Sequence, residues 1–182
     1  SLDGHALVPA AEDPYVGQTI DRYEVAARLG IGGMGCVYRA RHHVLERSYA
    51  LKVLFGDFAG DDKFQARFRR EARSMSRVRH HNVIMVEDFG RTPEGLTFIA
   101  MELVEGQTLE QAIEATGPMP PARVARIMRG IARGLQAAHE VDLIHRDVKP
   151  SNVMLASGER KEQVKLLDFG AVALRAQPED AA

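Results

Sequence analysis

The sequence is short of several things, and each shortage closes off a class of protein. It has one cysteine, Cys36, in 182 residues, so no disulfide can form within the chain, and a reducing compartment suits it. Its charges nearly cancel, with 24 lysines and arginines against 25 aspartates and glutamates for a net charge of −1. No overall field therefore draws it to nucleic acid or a membrane surface. No apolar run approaches the ~18 residues of a membrane-spanning helix. The opening stretch from Ser1 to Thr19 mixes Asp, Glu, Pro and Gly with few apolar residues, unlike a secretory leader, and a cytoplasmic location is expected. The chain starts on Ser1 rather than Met, which reads as a trimmed or partial sequence. What is present is ordinary for a globular protein: 45% apolar residues, enough for a sizeable core in one domain or two small lobes.

Residues 1–20 read as a flexible leader broken by Gly4, Pro9, Pro14 and Gly17. From Tyr23 the pattern turns strand-like. One strand runs into Gly30 to Gly35 and another, Cys36 to Ala40, runs out, which predicts a hairpin with a glycine-rich tip. Ser48 to Leu54 is a third strand, apolar apart from Lys52. Over 63–79, Phe64, Phe68, Ala72, Met75 and Val78 recur at helical spacing, and the opposite face is basic. Two strands follow, near Val83–Phe89 and Leu96–Val104, joined by a turn at Thr92 to Gly95. Gly106 to Glu114 reads as a short helix. After Pro120 and Pro121 a longer helix carries the stripe Val124, Ile127, Met128, Ile131, Leu135 and Ala138. Short strands around Val153–Leu155 and Val164–Leu167 complete an α+β, two-lobe plan, with a cleft expected at the connector Glu102–Gly106.

Four groups of residues carry chemistry. Gly30-x-Gly32-x-x-Gly35 lies between two strands. A dinucleotide fold would need a helix after the third glycine, and no G-K-[ST] ending marks a Walker-type loop. A glycine flap lets backbone N–H groups approach phosphates; a plain hairpin tip would use the same residues. Lys52 stands in an apolar strand, where an ammonium needs an anion or a route to solvent. Glu71 shares the apolar face of the 63–79 helix, so the two charges could answer each other and leave lysine donors for phosphate. Asp147 and Asn152 stand five residues apart in a loop, with Lys149 between them. A carboxylate can accept a hydroxyl proton, an amide oxygen can ligate Mg²⁺, and a cation can steady a phosphoryl group. Asp168, before Phe169-Gly170, offers a second hard oxygen.

In this order, these residues resemble a eukaryotic-type protein kinase, and more specifically a bacterial serine/threonine kinase. Leu29-Gly30-x-Gly32-Gly33-Met34-Gly35-x-Val37-Tyr38 and Arg67-Phe68-x-Arg70-Glu71-Ala72 have the wording of that bacterial branch, and Lys149 two residues after Asp147 is the serine/threonine form. The resemblance runs from about Tyr23 to Gly170. It implies a kinase-like fold: a lobe at 21–101 with a five-stranded antiparallel sheet and one helix, a hinge at 102–106, and a partial, mainly helical second lobe at 107–182.

The same resemblance implies ATP and Mg²⁺ as cofactors and Ser/Thr hydroxyls of proteins as acceptors. Gly30, Ile31, Gly32, Gly33, Met34 and Gly35 would cover the phosphates. Lys52, paired with Glu71, would bind the α- and β-phosphates. Val37, Ala50 and Met154 would wall the adenine, Met101 would be the gatekeeper, and Glu102 and Val104 the adenine-reading hinge. Asp147 would orient or deprotonate the hydroxyl, Lys149 would steady the γ-phosphate, and Asn152 and Asp168 would hold the metal.

Beyond Gly170 only Ala171 to Ala182 remain, whereas the family continues into an activation loop and further helices. The chain is therefore expected to be a piece of a kinase with weak or no activity alone. The stripe Val124–Ala138 would lose partners and form a face for self-association. The competing reading is a pseudokinase-like nucleotide-binding or interaction module without phosphotransfer. Cys36 reads as a small side chain at the turn, the arginine-rich helix face as solvated, and His80 and His81 as loop residues with no third ligand at metal spacing.

Overall fold

The computed structural model describes residues 13–32, 35–55, 62–157 and 162–169. They group into two compact units, one within Ser1–Gly60 and Val86–Leu103, the other within Asp61–Met85 and Val104–Ala182.

The first unit is an antiparallel sheet. Its strands are β1 (Thr19–Ile20), β2 (Tyr23–Gly32), β3 (Gly35–His42), β4 (Ser48–Leu54), β5 (Val86–Arg91) and β6 (Thr97–Glu102), in the order β1-β2-β3-β4-β6-β5. The sequence predicts five of these. The sixth, β1, is two residues long and pairs Ile20 with Tyr23, too short to show any period. Alternation of side chains builds the core: Cys36, Tyr38 and Ala40 from β3, Tyr49, Leu51 and Val53 from β4, and Phe98 and Ala100 from β6 share one cluster. The Tyr23 ring meets Tyr49 and Phe98 edge-on, and its hydroxyl donates to Asp88 at 3.0 Å. Cys36 is thus a buried core residue of a strand rather than a side chain at a turn.

The expected leader needs a correction over its described part. Asp13 is buried, Tyr15 and Val16 pack on the sheet's core cluster, and Ile20 is 2% exposed. Backbone bonds from Gly17 N to Val25 O and from Val25 N to Gln18 O tie the segment to β2. Pro14 and Gly17 shape a turn here rather than a free tail; residues 1–12 lie outside the described residues.

The second unit contains the helices. Helix α1 (Asp62–Arg77) buries Phe68, Ala72 and Met75, followed by Val78, and exposes Arg69, Arg70, Arg73 and Arg77. The sequence reading assigns this helix to the sheet's lobe at 21–101, but here it groups with the second unit. The chain leaving it is anchored there: Asn82 Nδ2 donates to Val164 O at 2.7 Å, and Leu166 N to Asn82 O at 2.8 Å. Strand β7 (Gly106–Thr108) then pairs with β8 (Val153–Ala156), which pairs with β9 (Gln163–Leu166) in a second antiparallel sheet. The helix expected from Gly106 starts at Leu109 as α2 (Leu109–Thr116). Thr108 caps it: its side chain accepts from Gln111 N at 3.1 Å while its own N–H donates to Gln111 Oε1 at 2.8 Å. Helix α3 (Pro121–His139) opens with proline at its first position, where a missing N–H costs nothing.

The apolar stripe of α3 divides. Ile127, Ile131 and Ala138 are buried, while Val124 and Met128 are 44% and 56% exposed. With Leu109, Ile113, Pro118 and Met119 these two line an apolar groove of about 450 Å³. Among the described residues no helix is long and apolar enough to cross a membrane.

Candidate nucleotide and phosphotransfer site

In the first unit the sheet register decides which predicted residues meet. Directly opposed residues share a face, and Val37 is opposite Lys52, Lys52 opposite Ile99, and Ala50 opposite Met101. Val37, Ala50, Lys52 and Met101 therefore occupy one face of the sheet, the reverse of the core face carrying Tyr38, Leu51 and Phe98. Ala50 is a small residue on this face, and Lys52 is a buried cation on it, 8% exposed. Burial of an ammonium requires a polar environment. Its intended partner Glu71 lies on α1, but the Glu71 side chain lies outside the described residues.

Strands β2 and β3 close on each other as far as Gly32 opposite Gly35, which makes the predicted hairpin. Gly33 and Met34, at its tip, lie outside the described residues. The three described glycines differ in why they lack a side chain. A Cβ on Gly35 would stand 2.1 Å from Val53 O, so packing alone demands glycine there. A Cβ on Gly30 would meet nothing within 4 Å, and one on Gly32 only Gly35 O at 3.8 Å. Among the described residues, nothing in the packing calls for glycine at those two positions, and the space beside them is open. Ile31, between them, is 69% exposed.

In the second unit, the loop after α3 gathers the titratable groups. Lys149 Nζ lies 2.8 Å from Asp147 Oδ2. Asn152 Nδ2 donates to the backbone oxygen of Asp147 at 2.8 Å and to its Oδ2 at 3.1 Å. Hydrogen bonding from Lys149 holds the Asp147 carboxyl below the usual carboxylate range, and Asn152 adds to this. Asp147 is therefore ionised at neutral pH. Both bonds from Asn152 use its amide nitrogen and so direct its carbonyl oxygen elsewhere.

A buried histidine orders this loop. His145 is 1% exposed. Its Nε2 lies 2.8 Å from Leu167 O, and Asp147 N donates to its Nδ1 at 3.3 Å. These partners require a neutral ring protonated at Nε2, and burial lowers its pKa accordingly. Leu167 N in turn donates to Asn152 O at 2.9 Å, which fixes the segment leading to Asp168 beside the Asp147 loop. The Phe169 ring lies against His145, with centroids 4.5 Å apart and planes tilted by 53°. Arg146 and Asp168 both hold positive φ, 63° and 52°, a region that non-glycine residues rarely adopt and that recurs at functional sites. The sequence reading gives His145 no part in positioning Asp147; its place two residues before that aspartate is the one local signal.

The remaining predicted residues fall as follows. Met154 is half-buried on β8, opposite Thr108 and Lys165. Glu102 ends β6, and Val104 begins the second unit's later segment. Gly170 lies outside the described residues. No group of three or more His, Cys, Asp or Glu able to hold a metal occurs among the described residues. Two oxygen donors such as Asn152 and Asp168 suit a Mg²⁺ that keeps its waters and takes phosphate oxygens for the rest.

The protein kinase domain family matches residues 23–181. Serine/threonine-protein kinase pkn3 of Myxococcus xanthus is 43% identical over 170 residues, 92% of this chain and 31% of that protein. Serine/threonine-protein kinase PknL of Mycobacterium tuberculosis is 42% identical over 161 residues, 88% of this chain and 39% of that protein. The chain thus spans between three and four tenths of the length of these relatives. The crystal structure of the Mycobacterium tuberculosis PknI kinase domain superposes with a TM-score of 0.76 at 37% identity, over 90% of this chain and 64% of that one.

Proposed function

Because this chain belongs to the protein kinase family, we propose that it binds Mg-ATP and that the protein it represents transfers the γ-phosphoryl group to serine and threonine hydroxyls of other proteins. The observation that carries this reading is the Asp147 cluster. It sets an ionised carboxylate, a cation at 2.8 Å and a carboxamide at 3.1 Å in one loop. Phosphoryl transfer is catalysed chiefly by positioning and charge, and this loop supplies both.

In this reading Gly30, Ile31, Gly32, Gly33, Met34 and Gly35 cover the phosphates, and the free space beside Gly30 and Gly32 supports that role. Val37, Ala50 and Met101, on one sheet face, receive the adenine together with Met154, while Glu102 and Val104 read its edge. Lys52 binds the α- and β-phosphates with Glu71 as its counter-ion. The Asp147 carboxylate orients the acceptor hydroxyl and takes its proton as the bond to the γ-phosphorus forms and the bond from that phosphorus to the bridging oxygen breaks, with ADP leaving. Lys149 neutralises charge on the transferring group. Asn152 and Asp168 would hold Mg²⁺, which when bound screens the phosphate oxygens.

The test is to titrate the chain with a fluorescent ATP analogue and Mg²⁺ and to follow transfer from γ-labelled ATP to a general protein substrate. Lys52→Met is expected to abolish binding. Asp147→Asn is expected to keep binding and lower turnover about 100-fold or more. Turnover unchanged in Asp147→Asn sinks the phosphotransfer reading. ATP binding with no turnover by the chain or by the whole protein it represents favours the nucleotide-binding module instead.

A further inference from the structure

The described part of the N-terminal segment does more than cover the core. Asp13 is almost completely enclosed, its side chain 2% exposed. Oδ1 accepts from Tyr15 N at 3.0 Å. Oδ2 accepts from Arg28 Nη1 at 3.0 Å and from the Tyr38 hydroxyl at 3.4 Å. Tyr38 is itself 1% exposed, and burial, with hydrogen bonding to Cys36 next, pushes its phenol far up, so it is a neutral donor. The Tyr15 ring stands edge-on to Tyr38 at 5.9 Å. A buried carboxylate with this set of donors is a built feature, since an unpaired one would be strongly disfavoured.

Its location gives it a consequence. The β2–β3 ladder is irregular at two points, between Val25 and Ala27 and between Arg28 and Gly30. Each leaves one extra residue on β2, which is a β-bulge. The first bulge turns Arg28 onto the face of its partner Tyr38, where Asp13 lies. The second turns Gly30 back to the face of its partner Val37. Asp13 therefore grips both strands, through Arg28 and Tyr38, one pair of residues before the second bulge, at the root of the glycine turn. Bulges re-aim the chain that follows them, and this one aims Gly30 to Gly32.

We propose that Asp13 is a positioning residue for the glycine turn, holding the bulge beneath Gly30 through Arg28 and Tyr38 so that the turn is preset to receive phosphate. The inference rests on the nucleotide reading above. Without the carboxylate, Arg28 and Tyr38 lose their shared acceptor, the bulge relaxes, and the phosphate-receiving conformation becomes one of several. Apparent affinity then falls by the fraction of molecules still preset; a fall of that fraction to a tenth weakens ATP about tenfold. Adenosine, which has no phosphates, does not report on the turn in this way.

The test measures displacement of a fluorescent ATP analogue by ATP and by adenosine, on the whole chain. In Asp13→Asn, ATP is expected to bind about tenfold more weakly and adenosine within about twofold of the unaltered chain. Arg28→Met, which breaks the same ion pair from its more exposed side, is expected to reproduce this split and keeps the inference testable should Asp13→Asn fail to fold. The double variant is expected to be no weaker than the worse single one, because both act through one contact. Equal loss for ATP and adenosine, or no loss for either, overturns the positioning role while leaving the nucleotide site standing. No ATP binding by the unaltered chain overturns both.

Discussion

At the scale of single residues, the glycines separate packing from function. Gly35 lacks a side chain because Val53 O fills the place of its Cβ, at 2.1 Å, whereas Gly30 has nothing within 4 Å. Alanine at Gly35 must push a strand aside, and overpacking of this kind costs about 1–3 kcal/mol. Alanine at Gly30 adds no clash and is expected to leave stability within about 1 kcal/mol. For ligand binding the order is expected to reverse: in the proposed site, Gly30→Ala sets a methyl group against the phosphates. Thermal melts alongside ATP titrations check this pair. A Gly30→Ala chain that melts much earlier than the unaltered one, or binds ATP equally well, contradicts it. The candidate side chains Lys52, Asp147, Lys149, Asn152 and Asp168 are legible only together, because their wording is specific in combination and not one by one. Asp13 was not legible, since an aspartate before a proline in a polar stretch looks like part of a tail. Its value appears only when Arg28 and Tyr38, 15 and 25 residues away, arrive beside it.

At the scale of elements, short-range signals were read well where they are redundant. The 3.6-residue period predicts α1 and α3, and Pro121 marks where α3 starts. The cap of α2 was not read, and it carries a prediction. Thr108→Ala removes the acceptor for Gln111 N and is expected to cost about 1 kcal/mol, lowering the melting midpoint by roughly 2–4 °C for a chain of this size. Thr108→Ser keeps the acceptor and is expected to restore most of it. The loop between α3 and β8 is held instead by His145. Its folded pKa lies below the unfolded value of about 6.5. For a histidine shifted this way, the folded state binds fewer protons, so stability is complete above about pH 6.5 and is lost as pH falls through the lowered folded value. His80, shifted the same way chiefly by burial, adds to the effect. Melting midpoints are expected to drop between pH 7 and pH 5. In His145→Phe the midpoint starts lower, since Leu167 O and Asp147 N lose a partner, but the pH slope is shallower; an unchanged slope excludes His145 as its source.

At the scale of the molecule, the two units each have their own sheet and core. On the second unit, Ile113, Val124 and Met128 are exposed together, at 44%, 44% and 56%, on the groove between α2 and α3. We propose that chains associate through this face at high concentration, as exposed apolar patches tend to. Sedimentation of the unaltered chain is expected to show a mass that rises with concentration, and Met128→Glu is expected to hold it monomeric. A chain that stays monomeric throughout removes this proposal without touching the nucleotide reading.

The sequence by itself determined the family and the order of the longer strands and helices, and it named the residues that the proposed function calls on. These are written in local spacing and in motifs whose members are close in the chain. Tertiary structure alone decided three other things. It set Val37, Ala50, Lys52 and Met101 on one face, because register is a relation between strands and not a property of any one of them. It divided the stripe of α3 into a buried and an exposed half, because only a packed neighbour distinguishes Ile127 from Met128. And it turned the stretch from Asp13 to Gln18 from an apparent tail into a strap, because a buried carboxylate is stable only where donors from β2 and β3 converge on it.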